Sequence, residues 1–208
     1  LEMSRALTEN HHESHVVSAG GRLVDQLIKD GTHHHKWDLH KKNLFTFRHV
    51  RPLRKWIISM NPDVIHVRSR MPAWIVWQSL KGIPLNKRPT LVSTIHGLYS
   101  VNFYSAIMSK PHNIITVSKS ANEYLVKNYP KSSDKNIKLI YRGVDTSEYY
   151  KNYKPNQVWL NNWYKDYPDT KDTKLLTIAG RISPLKDFEK IISLAVSIKH
   201  KSNHKIKI

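Results

Sequence analysis

Hydrophobic positions along the 208-residue chain repeat with two periods, and the alternation between them predicts the elements. In LEMSRALTEN, Leu1, Met3, Ala6 and Leu7 mark one side of a helix, and SHVVSAGG, β-branched and closed by two glycines, then predicts a strand. RLVDQLIKDGT carries Leu23, Val24, Leu27 and Ile28 at i, i+1, i+4 and i+5, with Gly31 as a stop, which is the pattern of a helix and its cap. THHHKWDL follows as a strand. LFTFRHVRPLRKWIISMNP becomes helical in its later part, with Leu53, Ile57 and Ile58 on one face and a stop at Asn61-Pro62.

From there the rhythm is regular. DVIHV is a short apolar strand, PAWIVWQSLKG a helix with Pro72 near its first turn, and RPTLVSTIHG another apolar β-run. FYSAIMSK predicts a helix, HNIITVS a strand, KSANEYLVKNYP a helix ending before Pro130, and NIKLIYRGVD a strand closed by a glycine turn. Strands alternating with helices over short connections imply a doubly wound, mostly parallel α/β sheet.

The texture changes at TSEYYKNYKPNQVWLNNWYKDYPDTKDT, which is polar, aromatic and rich in Lys, Asn and Asp. It predicts a linker with one short helix near residues 155–165, in which Trp159 and Trp163, four apart, are expected to pack on the first domain; the alternative is that this aromatic-basic stretch contributes to membrane docking. KLLTIAG then restarts the β-loop-α rhythm as a buried strand. LKDFEKIISLAVSIKHK sets Phe188, Ile191, Ile192, Ala195 and Ile198 on one helical face, and HKIKI opens a further strand. The expected organisation is a Rossmann-like N-terminal domain over 1–150, an interdomain linker over 151–172 and the start of a second Rossmann-like domain over 173–208. One βαβ unit cannot cover both faces of a parallel sheet. Together with a first helix that begins mid-pattern, this leads to the expectation of an internal fragment of a longer two-domain protein; the alternative is that the last unit packs on the first domain.

Composition narrows the function classes. Cysteine is absent, so disulfides, thiolate metal sites and Cys nucleophiles are excluded. No apolar run is long enough to cross a bilayer, and the first residues, with Glu2 and Glu9 and no apolar core, match neither a signal nor a transit peptide. A cytoplasmic protein is expected. Lys and Arg number 34 against 16 Asp and Glu, a formal charge of +18, which calls for an anionic partner: nucleic acid, anionic lipid or a phosphorylated substrate. The basic residues are spread out, with no arginine-rich tail, RNP-like strand or zinc-finger spacing, so nucleic acid ranks second. The histidines of GTHHHKWDLH, His33, His34, His35 and His40, invite a metal site, but no carboxylate or cysteine completes a convincing set with them, and a solvated or edge-strand histidine run is expected instead.

Open α/β sheets bind ligands beyond the carboxyl ends of their strands. Four segments stand there: VRSR with Arg68 and Arg70, HGLY with His96, Gly97 and Tyr99, RGVD with Arg142, and GRISPLK with Arg181 and Lys186. After an apolar strand, Gly97 eases a turn and a ligand's approach, while the His96 imidazole can donate or accept near neutral pH. Arg181 and Lys186 flank a turn with Pro184, and Lys186 is expected at a helix start, where Arg and Lys can grip a diphosphate. An exposed basic loop accounts for the same residues equally well.

Taken in order, PDVIHVRSRMPAW, TLVSTIHGLY, ITVSKSANEYLVKNY, IKLIYRGVDTSEY and LLTIAGRISPLKDFEKII resemble glycosyltransferase family 4, the retaining sugar-nucleotide enzymes also called group 1. RSRxPAW with HGxY and RGVD is most similar to the bacterial envelope and lipopolysaccharide branch. The resemblance implies a GT-B fold, with acceptor bound by the first Rossmann-like domain and a nucleotide-diphosphate sugar by the second. By match to the family's GRxxxxK pattern, Arg181 and Lys186 would hold the donor diphosphate and stabilise the leaving group without a metal or other cofactor. His96 would lie at the transferred sugar. Arg68, Arg70, Gly97, Tyr99 and Arg142 become candidates for the cleft on the acceptor side.

The sequence departs from the family at Asp187, where glycine usually follows the lysine. By the same resemblance, a first strand with its glycine-rich loop would precede Leu1, and an acidic E-x7-E region would follow Ile208. The expected function is retaining transfer of a sugar to a hydroxyl of a lipid-linked or envelope glycan acceptor, peripheral on the inner face of the cytoplasmic membrane, with little activity from these residues alone. The competing class is a non-catalytic basic module that binds nucleic acid or an anionic membrane surface.

Overall fold

The computed structural model describes residues 1–147, 149–201 and 206–207. The chain forms two compact units, Leu1–Gly143 and Val144–Ile208. It is a mixed α/β protein of Rossmann-like type in which all strand pairs of the described residues are parallel.

The first unit opens with α1 (Glu2–Glu9), β1 (His15–Ser18), α2 (Val24–Lys29) and β2 (His33–Lys36). Helix α1 buries no residue and is fastened by polar contacts: Arg5 pairs with Asp30 at 3.1 Å, and the Thr8 hydroxyl donates to the Asp30 carbonyl at 2.8 Å. Strands β1 and β2 pair with His15 opposite His33. Alternation along a strand then sorts the histidines by face. His15 stacks on His33 and His35, with centroids at 4.9 and 5.2 Å, and its Nδ1 lies 3.0 Å from His35 Nε2. His34, pointing the other way, meets the Ser18 hydroxyl at 2.8 Å. Among the described residues no group of three or more His, Asp or Glu is placed to hold a metal ion.

The larger sheet holds β3 (Val64–Val67), β4 (Thr90–Ile95), β5 (Asn113–Thr116) and β6 (Asn136–Leu139) in that spatial order. Around it lie α3 (Val50–Met60), α4 (Arg70–Lys81) and α5 (Lys119–Asn128). Helix α4 is apolar nearly all round, as a helix enclosed by other elements must be, and buries Met71, Ala73, Trp74, Ile75, Val76, Ser79 and Leu80. The core joins these to Leu53 and Ile57 of α3, Ile95, Ile114 and Leu125. A side chain as enclosed as Ile75 contributes about 2 kcal/mol through removal from water. Ile58, expected on the same face as Leu53 and Ile57, instead points outward, because the buried stripe of α3 is narrower than its apolar pattern. Asn61 ends that helix in the left-handed region, with φ 43°.

The segment FYSAIMSK departs from the expected α-helix: Ser105–Ser109 forms a 3-10 helix. The Ser93 hydroxyl on β4 takes the Met108 carbonyl at 2.7 Å, and Asn102 Oδ1 accepts the Ser105 N–H at 2.9 Å. Both bonds claim backbone groups in the tighter turn, a choice that local periodicity does not reveal.

The second unit contains α6 (Gln157–Asp166), β7 (Lys174–Leu175), α7 (Phe188–Lys201) and β8 (Ile206–Lys207). Helix α6 begins at Asn156, whose side chain accepts the Val158 N–H at 2.7 Å. Trp159 stacks on Trp163 at 5.4 Å, and the Trp163 indole donates to the Thr170 hydroxyl at 2.8 Å. The buried strand expected over KLLTIAG is not formed as such. Strand β7 covers Lys174–Leu175 only, both exposed, and pairs with the equally short β8. With one partner strand, it lacks the cover on both faces that buries a parallel strand. In α7 the inner face runs through Phe188, Ile191, Ala195 and Ile198, while Ile192 is exposed. Of HKIKI, residues 204, 205 and 208 lie outside the described residues.

Arg54 ties α3 to the last turn of α4. Its guanidinium donates from Nε to the Ser79 carbonyl at 3.0 Å and from Nη2 to the Gln78 carbonyl at 3.3 Å, satisfying helix-end acceptors with a cation where the dipole favours one. It lies where a Cβ on Gly82 would stand. Gly82→Ala is therefore expected to destabilise by about 1 kcal/mol by expelling Arg54 from those carbonyls. In an Arg54→Ala background the same change is expected to stabilise by about 0.5 kcal/mol through the unfolded chain. Urea unfolding of the four variants reads the reversal in sign.

The histidine face gives a pH dependence. Burial first, then His15, His33 and His34, hold the His35 imidazole below its ordinary value of 6.5. The folded state therefore binds this proton less well than the unfolded chain, so the contribution is present above the unfolded pKa and is lost as pH falls through the folded one. The urea midpoint is expected to drop between about pH 7.5 and about pH 5, and to drop less in His35→Gln.

Candidate functional site

Parallel pairing puts the carboxyl ends of β3 to β6 on one edge. Val67 lies beside Ser93, Ile95 beside Thr116, and Thr116 beside Leu139. The chain leaves this edge through VRSR, HGLY and YRGV, so three of the four expected segments meet there.

His96, half-buried, is the meeting point. Arg68, just beyond β3, places Nε 3.4 Å from His96 Nε2, and Arg142, from beyond β6, reaches across the end of β5 to place Nη2 2.9 Å from His96 Nδ1. Burial first, then Arg68, Arg142 and His66, push the His96 pKa below the ordinary histidine value. The ring is thus held neutral, a polar group able to donate at one nitrogen and accept at the other. His66, one layer deeper on β3, is also pushed down by burial and then by Arg68, and meets the Thr94 hydroxyl at 2.6 Å.

Arg70 belongs to a neighbouring cluster. It is the first residue of α4, a position without any acidic residue in its turn, and its Nη1 donates to the Ser105 hydroxyl at 2.9 Å. The guanidinium lies over the Tyr99 ring at 5.0 Å and the Tyr104 ring at 5.1 Å, where the negative ring faces favour it. The Tyr124 hydroxyl on α5 donates to the Tyr99 carbonyl, fixing the loop that follows His96. Gly97 corrects one expectation: its φ is not positive, so the turn itself does not demand glycine. A Cβ there would meet nothing within 4 Å, which leaves room beside the backbone.

The second unit carries Arg181 and Lys186, both exposed. The stem of Lys186 lies over Gly180, with Cγ, Cδ and Cε each 3.4 Å from where a Cβ would stand. Lys186 is not at the start of the α-helix as expected. It ends a 3-10 turn, Pro184–Lys186, and α7 begins at Phe188 after Asp187. Asp187 has φ 47° and ψ 54°, in the left-handed region, and its carboxylate pairs with Lys190 Nζ at 2.9 Å and accepts the Lys190 N–H at 3.4 Å. It thus neutralises the start of α7 from within the chain. The αL backbone at this position is where a glycine is least strained.

Reading along the sequence missed His66, Tyr124, Ser105 and Tyr104. Their partners lie 25 to 35 residues away, and no local pattern signals such pairs.

The fold is that of GT-B glycosyltransferases. A crystal structure of a glycosyltransferase from Rickettsia africae ESF-5 superposes with a TM-score of 0.70 at 21% identity, covering 99% of this chain and 62% of that one. The structure of Anabaena HepE in complex with UDP and glucose gives 0.69 at 12% identity, covering 99% and 55%. This chain thus spans less than two thirds of the length of either. A comparison with curated protein sequences returns no match. The sequence profile of Glycosyltransferase Family 4 matches residues 1–148, and the chain belongs to that family.

Because Arg142 acts on His96 and Arg68 acts on both His96 and His66, the two arginines are separable. Arg142→Gln is expected to raise the His96 pKa and leave that of His66 in place, whereas Arg68→Gln raises both. Imidazole NMR titrations check the pattern, and equal shifts of the two histidines in Arg142→Gln would contradict the geometry.

Proposed function

We propose that the chain is part of a retaining glycosyltransferase that moves a sugar from a nucleotide-diphosphate donor to a hydroxyl of a lipid-linked or envelope glycan, in the manner of lipopolysaccharide synthesis. The observation that carries this reading is the meeting of Arg68 and Arg142 on a neutral His96 at the carboxyl edge of a parallel sheet, in a chain of Glycosyltransferase Family 4. The bound UDP and glucose of the HepE structure support a nucleotide-sugar donor.

In this reading the first unit takes the acceptor and the second begins the donor site. Arg181 and Lys186 hold the donor diphosphate, and their charge stabilises it as it leaves. The bond between the anomeric carbon and the diphosphate oxygen breaks while the acceptor oxygen bonds to that carbon on the same face. The acceptor's proton passes to a phosphate oxygen of the departing nucleoside diphosphate. The His96 imidazole, held neutral, hydrogen-bonds the sugar in transfer. Arginine and lysine supply the positive charge, so the step needs no metal. The chain by itself is expected to have little or no turnover.

Peripheral docking on the anionic inner face of the cytoplasmic membrane suits the charge of +18. It also suits an apolar rim at Leu44, Phe45 and Phe103, all strongly exposed, where Lys42 lies over the Tyr104 ring and Arg48 over Phe45. Among the described residues no helix is long and apolar enough to cross a membrane.

UDP, GDP or ADP is expected to bind saturably, and Arg181→Ala or Lys186→Ala to weaken binding about tenfold through loss of a charge-assisted contact. Calorimetry at fixed salt measures this. Random-sequence DNA bound more tightly than any nucleoside diphosphate, with a steep salt dependence, would favour the non-catalytic basic module instead.

A further inference from the structure

The His96 cluster holds a conflict among donors. A guanidinium has five N–H donors and no acceptor, and a neutral imidazole accepts at one nitrogen only. Yet Arg142 approaches Nδ1 at 2.9 Å and Arg68 approaches Nε2 at 3.4 Å. Whichever tautomer forms, one arginine faces an N–H instead of a lone pair. The shorter contact selects Nδ1 as the acceptor, leaving the His96 N–H directed at Arg68.

Nothing nearby resolves this. Among the described residues neither arginine forms an ion pair, and the one side-chain hydrogen-bond partner of each is this imidazole. Four other arginines are held by oxygens: Arg5 pairs with Asp30, while Arg54, Arg88 and Arg70 rest on carbonyl or hydroxyl oxygens. Two guanidiniums converge on a ring that can accept from one of them, at the edge where open α/β sheets bind ligands. The side of the backbone at Gly97 is open, so a ligand has access.

We infer that Arg68, His96 and Arg142 form a receptor for a phosphate ester carried by the acceptor, close to the hydroxyl that takes the sugar. A phosphate monoester presents three acceptor oxygens. Each guanidinium then gains an ionised acceptor, and the imidazole donates its N–H in place of facing a donor. This inference rests on the reading of the first unit as the acceptor side of a glycosyltransferase. It adds the chemical class of the acceptor: a sugar or glycan bearing a phosphate monoester, with that anion distinct from the donor's diphosphate.

Imidazole NMR on the 208-residue chain tests it, with inorganic phosphate as probe and exposed His112 as the internal control. His96 is expected to respond saturably and its pKa to rise as the anion favours the imidazolium. Arg68→Gln or Arg142→Gln is expected to weaken the response about tenfold, as loss of a charge-assisted contact does. Both residues are exposed, and the dispersion of the amide spectrum reports that each variant is folded. Arg181→Ala and Lys186→Ala are expected to leave the His96 response unchanged. A His96 response no larger than that of His112, or one that survives both glutamine variants together, overturns the inference. If Arg181→Ala abolishes it instead, the anion is the donor's phosphate; the acceptor receptor is then wrong and the transferase reading stands. Conversely, UDP binding indifferent to Arg181→Ala, beside a normal His96 response, overturns the transferase reading and leaves the anion receptor.

Discussion

Strand β4 is buried at Ser93, Thr94 and Ile95, hydrogen-bonded on both sides to parallel neighbours, and the chain meets water again only beyond its carboxyl end. That single constraint places everything else. Polar side chains along a strand enclosed in this way must be paired inside the protein, as Ser93 is with the Met108 carbonyl and Thr94 with His66, so chemistry open to a ligand is left to the strand's end. It collects at the first residue past the end, which is His96. The neighbouring strands obey the same rule, so Arg68 and Arg142 arrive at the same edge from β3 and β6. The helices exist to make the enclosure possible: α4, apolar almost all round, is the largest single contributor.

Electrostatics then decides what that edge attracts. The chain has few carboxylates for its cations, and several are committed locally: Asp30 to Arg5, Asp38 to Lys41 and His40, Asp187 to Lys190, and Asp169 to Lys207. These pairs are largely exposed and contribute little to stability. Among the described residues none of these pairs includes Arg68 or Arg142. A surplus charge that composition reports only as a total is thereby concentrated at the place where the backbone also opens.

Much of this was legible in the sequence. The β-branched runs and the 3.6-residue periodicity carried the elements from β1 through α5, because each burial pattern is written in consecutive residues. Arg68, His96 and Arg142 were legible as residues that follow strands. Their mutual contact was not, since Arg142 and His96 are separated by 46 positions and only the strand order brings them together. Local reading failed where a distant group overrode it. Ser93 drew Met108 into a 3-10 turn, and the shortness of β7 left KLLTIAG without the cover that its apolar content suggested. At Asp187 the sequence showed a departure from the family, and the backbone there still takes the left-handed conformation natural to glycine.

The Arg54 clasp on the last turn of α4 has a mechanical consequence. A helix of 12 residues is about 18 Å long and axially stiff, so fastening its far end to α3 makes the pair a strut whose other end carries Arg70 and, one turn of chain before it, Arg68. The separation of the two guanidiniums across the imidazole is therefore gauged from the opposite end of α4, at Gly82. Any force or ligand that slid α3 along α4 would be felt at the strand edge as a change of jaw width.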